Sequence, residues 1–195
     1  MEWKLFEGDS SEFASPEWYE DREAAHHLEE GGHRERLFEA ANLCAKARDE
    51  HGVNTVSDLG CGDGGLLQVL GSADVFDAVW GYDLQPENIE YAVYTRGVDA
   101  RLTDFGKDAT IDYGDATVVT EVLEHLEDPH GFLETLPSRV VIASCPFTET
   151  ANEHYEFHLW AWDNDGFEVL FKNAGWIVRS HFNSGMSQFV LATRS

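Results

Sequence analysis

The stretch Ser57-Asp58-Leu59-Gly60-Cys61-Gly62-Asp63-Gly64-Gly65 constrains this chain more than any other part of it. It sits where a β-rich run, VNTVSDL, ends and a helical one, LLQVL, begins. Glycines let the backbone turn there and approach a ligand at van der Waals distance, with the amides of a helix N-terminus pointing at it. The spacing satisfies Gly-x-Gly-x-x-Gly at 60, 62 and 65 and equally Gly-x-Gly-x-Gly at 60, 62 and 64, so a dinucleotide and a sulfonium nucleoside are both open. Asp83 closes the next β-run, where a carboxylate can accept both hydroxyls of a ribose, and this too fits either ligand.

Around that loop the chain alternates short β-rich and helical runs: VNTVSDL, LLQVL, AVWGYDL, NIEYAVY, ATVVTEV and RVVIASC. The alternation predicts an α/β fold with a parallel sheet covered by helices on both faces. Asp163 or Asp165 can cap a helix carrying Phe167, Leu170 and Phe171 that Gly175 ends. WIVRSHF and MSQFVLAT then pair as a C-terminal hairpin across Asn183, Ser184 and Gly185. Upstream, Ser15-Pro16 starts a predicted helix over 16–30, and a second runs from His33 to Glu50 with Leu37, Ala41 and Cys44 on one stripe and Gly52 as its stop. The expected organisation is a mobile leader over 1–14 and one domain over 15–195, comprising a helical lid (15–50) and a core (53–195).

Charge narrows the partners. Asp and Glu number 37 against 13 Lys and Arg, a net charge of −24, which opposes approach to nucleic acid or an anionic membrane. No apolar run reaches the roughly 20 residues of a bilayer span, and MEWKLFEGDS lacks a signal-peptide pattern, so a cytoplasmic location is expected. Cys44, Cys61 and Cys145 stand at no metal-like spacing and suggest no disulfide framework; Cys145 reads as a buried apolar thiol.

Val56-Ser57-Asp58-Leu59-Gly60-Cys61-Gly62-Asp63-Gly64 resembles the first motif of the class I S-adenosylmethionine-dependent methyltransferases. Asp83-Leu84 is similar to that family's ribose-binding acid with an apolar neighbour against the adenine, and Asp104-Phe105 stands where the family contacts the adenine amine. The resemblance implies a Rossmann-like, seven-stranded, mostly parallel sheet with an antiparallel C-terminal hairpin and an N-terminal helical lid. It also implies S-adenosylmethionine held by Asp58, Gly60, Cys61, Gly62, Gly64, Asp83, Leu84, Asp104, Phe105 and Glu121. A nicotinamide oxidoreductase fits less well, because such enzymes normally begin near their glycine loop. In the predicted helix over 16–30, Trp18, Tyr19, Arg22, His26 and His27 suit a cover for cofactor or substrate, or a plain packing face.

Thr120-Glu121-Val122-Leu123-Glu124-His125-Leu126 is similar to the family's substrate-side segment. On a helical turn leaving its strand, Glu121, Glu124 and His125 could face one cleft and act as metal ligands or acid–base groups. Glu-x-x-Glu-His with a downstream histidine before a Trp resembles the metal-dependent methyltransferases of small-RNA 2′-hydroxyls, and related segments occur in ubiquinone-pathway O-methyltransferases. His158 is the closer match to that histidine and His154 the second. The resemblance thus implies Mg²⁺ or Mn²⁺ held by Glu121, Glu124, His125 and His158, although metal-free relatives also carry Glu-Val-Leu-Glu-His. His154, Tyr155 and His158, with Trp18, Tyr19 and His26, are the expected acceptor-side residues. The leading expectation is methylation of a small-molecule hydroxyl or amine. An RNA 2′-O-methyltransferase and a non-catalytic nucleoside-binding regulator are the alternatives, and oligomeric state is not legible.

Overall fold

The structure, a computed structural model, describes residues 1–6, 23–104 and 110–194. Its elements in chain order are β1 (Glu2–Lys4), α1 (Gly31–His51), β2 (Thr55–Leu59), α2 (Gly65–Ala73), β3 (Ala78–Asp83), α3 (Pro86–Tyr91), β4 (Ala100–Leu102), β5 (Ala116–Thr120), α4 (Pro129–Thr135), β6 (Val140–Pro146), β7 (Trp160–Trp162), α5 (Asn164–Asn173), β8 (Ile177–Ser184) and β9 (Ser187–Thr193). A π-turn over Ala92–Arg96 extends α3, and a single 3₁₀ turn, Leu123–His125, follows β5.

Seven strands form one sheet in the order β4-β3-β2-β5-β6-β9-β8. Strands β2 to β6 run parallel; β9 lies antiparallel between β6 and β8 and closes the hairpin. Period-two alternation sends the side chains of β5 to opposite faces, so Val118 joins one core and Val119 the other. On one face, Leu37, Ala40, Leu43, Cys44 and Ala47 of α1 pack with Val56, Leu66, Ile142 and Phe189. On the other, Trp162, Phe167 and Phe171 pack with Leu123, Leu133 and Val190. The order reverses between β2 and β5, and it is in the crevice outside the carboxyl ends of the strands at such a switch point that open α/β sheets take their ligands.

Three expectations change. Residues 2–4 are not part of a mobile leader: β1 pairs antiparallel with β7, Leu5 N–H donates to Leu159 O at 2.8 Å, and Trp162 Nε1 donates to Glu2 Oε2 at 2.7 Å. Three residues are too few to show a strand period. Residues 23–30, expected to be helical, form an irregular segment and a turn, because two of their amides go to tertiary partners, Ala25 N to Asn88 Oδ1 at 3.0 Å and His27 N to Asp63 Oδ2 at 3.1 Å, and only Glu29 and Glu30 N–H turn back locally, both to His26 O. The second predicted helix is present as α1, begun at Gly31 rather than His33, but it buries its apolar stripe on the sheet and is a core element, not a lid. Trp18, Tyr19, Arg22 and Phe105 lie outside the described residues. Among the described residues no helix is long and apolar enough to cross a membrane.

Candidate active site

The loop after β2 adopts the conformation its glycines allow. Gly60, Gly62 and Gly64 have φ of +77°, +54° and +77°, the left-handed region costly for other residues. At Gly60 the space is also decisive: a methyl group there would lie 2.5 Å from Val122 Cγ2, so the turns following β2 and β5 touch. Asp83, at the end of β3, reaches into this loop. Its Oδ2 accepts from Gly62 N at 2.8 Å, and its Oδ1 accepts from Gln85 N at 2.9 Å and Asn88 Nδ2 at 3.3 Å. Burial raises its pKa from the ordinary aspartate value, and the Gln85 and Gly62 amides pull the other way. A carboxylate offers about four acceptor positions, so a ribose diol needs one of these three donors displaced; Asn88 makes the longest bond.

Two further acids are buried here, Asp58 on β2 and Asp63 in the loop. Asp58, 2% exposed, has an Oδ1 without a hydrogen-bond partner among the described residues, and burial reinforced by Asp83 pushes its pKa up to about 7. Asp63 is also buried, but its oxygens meet His27 Nδ1 at 3.0 Å and the Arg96 guanidinium. Burial alone would raise its pKa; the bonds from His27 and Arg96 outweigh that and hold it below the usual range. Arg96 continues to Gln68 Oε1 at 2.8 Å and Glu29 Oε2 at 3.0 Å, so Asp63 ties residues 27–29 to the glycine loop and the π-turn.

Across the crevice the turn after β5 exposes a different chemistry. Glu124 is 1% exposed, and among the described residues neither of its carboxylate oxygens has a hydrogen-bond partner. Burial, with the Glu121 charge second, raises its pKa well above the ordinary value. Ligand atoms of Glu124, His125 and His158 all lie within 4.8 Å of one another. The two imidazoles meet edge to face, ring centroids 4.6 Å apart. His125 Nδ1 lies 3.1 Å from Phe157 O, an acceptor only, which places a proton on Nδ1. Leu159 N–H donates to Glu124 O at 2.7 Å, stitching the segment that carries His158 to the turn.

The family model for the methyltransferase domain matches residues 24–181. The chain belongs to the S-adenosylmethionine-dependent methyltransferase family. Among solved structures it is similar to the methyltransferase domain of a bacterial Hen1, CtHen1 (20% identity, 85% of this chain and 100% of that one, TM-score 0.67). It is also similar to the N-methyltransferase NodS from Bradyrhizobium japonicum WM9 in complex with S-adenosylhomocysteine (16% identity, 95% and 99%, TM-score 0.70). The magnesium protoporphyrin IX methyltransferase ChlM from Synechocystis PCC 6803 is a third (16% identity, 91% of each chain, TM-score 0.67). At these identities the likeness concerns the fold. No curated protein matches the sequence.

In this methyltransferase the cofactor is S-adenosylmethionine, and the residues expected to hold it divide by position. Asp58, Gly60, Cys61, Gly62, Gly64 and Asp83 meet at the carboxyl ends of β2 and β3, with half-buried Leu84 and Asp104 just beyond β3 and β4. Glu121 stands apart from the Glu124, His125 and His158 group. Its φ is +56°, its Oε1 accepts from Ser144 Oγ at 2.7 Å, and Arg36 of α1 lies 3.7 Å from its Oε2. Of the four expected ligands, Glu121, Glu124, His125 and His158, the structure brings the last three together. Tyr155 packs its ring against His158 at 5.2 Å, whereas His154 is exposed and bonded to Thr150 O, and exposed His26 lies against Tyr91. Sequence reading missed Asn88, Asp63, Arg96, Arg36 and Glu149 as site residues. Only Asp63, inside the glycine motif, carried a local signal.

Proposed function

We propose that this methyltransferase transfers the methyl group of S-adenosylmethionine to a hydroxyl of a small molecule, with a divalent cation held by Glu124, His125 and His158. The observation that carries this reading is the Glu124 carboxylate, buried without a hydrogen-bond partner beside two imidazoles. An unpaired buried acid costs folding free energy that a cation would offset. One carboxylate and two imidazoles form a borderline donor set that favours Mn²⁺ over Mg²⁺.

A methylsulfonium carries its own electrophile, so the protein's task is to align and exclude water. The glycine loop and Asp83 hold the nucleoside. The acceptor oxygen attacks the methyl carbon, the carbon–sulfur bond breaks with its electron pair staying on sulfur, and the hydroxyl gives up its proton. A cation, when bound, would lower the pKa of a coordinated hydroxyl. His125, with Nδ1–H on Phe157 O, presents its Nε2 lone pair to the cation or to that proton. Tyr155 supplies an aromatic wall beside His158.

An RNA 2′-hydroxyl would meet the same cluster, but a net charge of −24 opposes RNA binding. Transfer of labelled methyl groups to hydroxyl compounds, amines and short RNAs at low salt, each with Mn²⁺ and with EDTA, tests the proposal. Mn²⁺-dependent labelling of small hydroxyl acceptors is expected. Labelling of amines alone, unaffected by EDTA, would sink it, and labelling of RNA alone would replace the acceptor class.

A further inference from the structure

We infer that Glu149 is the positioning residue that aims His158, a role resting on the cation reading above. Glu149 follows β6 and is bonded to a member of the Glu124, His125 and His158 group. Its Oε2 lies 2.6 Å from His158 Nδ1, and its Oε1 accepts from Tyr155 N at 3.1 Å. Both oxygens are thereby committed, one to the imidazole and one to the backbone of the loop that carries it. The carboxylate side chain is 15% exposed and the imidazole 9%, so water competes little for the pair.

The consequence for His158 is chemical as well as steric. A carboxylate accepts, so the proton between the two stays on Nδ1, and in the neutral imidazole the lone pair is then on Nε2. His125 is set the same way by Phe157 O. The loop in between is closed on itself: Thr150 and Glu153 exchange backbone hydrogen bonds of 2.9 and 3.2 Å, and His158 N–H donates to Tyr155 O at 3.0 Å. Glu149 is thus a clasp that fixes both the tautomer of His158 and the path of the chain leading to it. Outer carboxylates that hold a ligating imidazole in this manner typically change metal affinity 10–100-fold when removed.

The test is Mn²⁺ titration followed by the electron paramagnetic resonance of free Mn²⁺, with S-adenosylhomocysteine affinity measured by calorimetry on the same samples. Glu149→Ala is expected to weaken Mn²⁺ about 10–100-fold and leave S-adenosylhomocysteine affinity unchanged. Glu149→Gln, of the same shape and with one remaining acceptor, should lose less and keeps the test open if the alanine variant misfolds. Glu153→Ala, an exposed acid of the same loop, should match the wild type. Glu149 variants that bind Mn²⁺ as tightly as the wild type, while His158→Ala does not, overturn the inference and leave the cation reading standing. A parallel loss of Mn²⁺ and S-adenosylhomocysteine affinity would mean a general structural role and overturn it as well. Absence of Mn²⁺ binding in the wild type overturns the cation reading, and the inference with it.

Discussion

The two sides of the crevice solve opposite electrostatic problems. On the cofactor side, Asp83 is buried yet nearly saturated: three protein donors hold it. On the acceptor side, Glu124 is buried and starved, both oxygens unpaired among the described residues. Satisfied polar groups preorganise a site for a neutral hydroxyl pair, which only has to replace a weak donor. Starved ones favour capture of a proton or a cation. The acid after β3 is thus held in place by the protein itself, whereas the acid after β5 has no hydrogen-bond partner among the described residues.

The largest expected effect comes from removing the saturated acid. Asp83→Ala should weaken S-adenosylhomocysteine by about 10²–10⁴-fold, since two hydrogen bonds to a charged group are each worth roughly 1.5–3 kcal/mol. Calorimetry reads it directly, and a loss under tenfold would break the claim that this side is built for a ribose.

Asp58 comes next and reports on pH. An ordinary aspartate titrates near 3.8 and Asp58 at about 7 in the fold, so between those values the folded chain binds the extra proton and stability falls as pH rises. The penalty is fully present above pH 7 and reaches at most about 4 kcal/mol, because each tenfold change in proton affinity is worth about 1.36 kcal/mol. Urea unfolding from pH 4 to 8 should show this decline in the wild type and a flatter profile in Asp58→Asn. Parallel profiles would mean that the carboxyl is solvated.

The starved side is tested by adding what it lacks. Mn²⁺ at about 100 times its Kd should stabilise the wild type by about 2.7 kcal/mol and Glu124→Gln not at all. An equal melting shift in both proteins would place the cation elsewhere and erase the contrast between the two sides.

How much of this was legible in the sequence follows the same division. The cofactor side is written in consecutive residues, because a glycine loop and the acid after the next strand are local consequences of a β-turn-α unit. Gly60, Gly62, Gly64 and Asp83 are accordingly where the motif puts them. The sheet with its closing hairpin was legible for the same reason, in alternating runs long enough to show a period. The acceptor side is assembled from the turn after β5 and the loop before β7. Its ligand-type residues were visible, but Glu149 and Arg36 are joined to them only by folding. Glu121 shares the Glu-x-x-Glu-His segment yet points elsewhere, because a turn at φ +56° breaks the helical spacing that would have grouped it with Glu124 and His125. The first strand and the segment over 23–30 were misread because their bonds run to distant residues.

That last segment gives the smallest predicted effect and the finest test of the comparison. His27 covers the glycine loop so closely that a methyl group on Gly62 would lie 2.6 Å from its Cε1. It is held by Asp63, which keeps its bonds to Arg96 when His27 is removed. His27→Ala should therefore cost only about 1 kcal/mol, the net worth of one partly exposed hydrogen bond, and leave Asp63 paired. Amide exchange of residues 24–30 should quicken by a comparable factor, roughly fivefold, while exchange around Glu124 and His158 stays unchanged. Quickening on both sides would show that the cover and the acceptor cluster move as one body. Quickening confined to the cofactor side would show that the saturated half of the crevice breathes without disturbing the starved one.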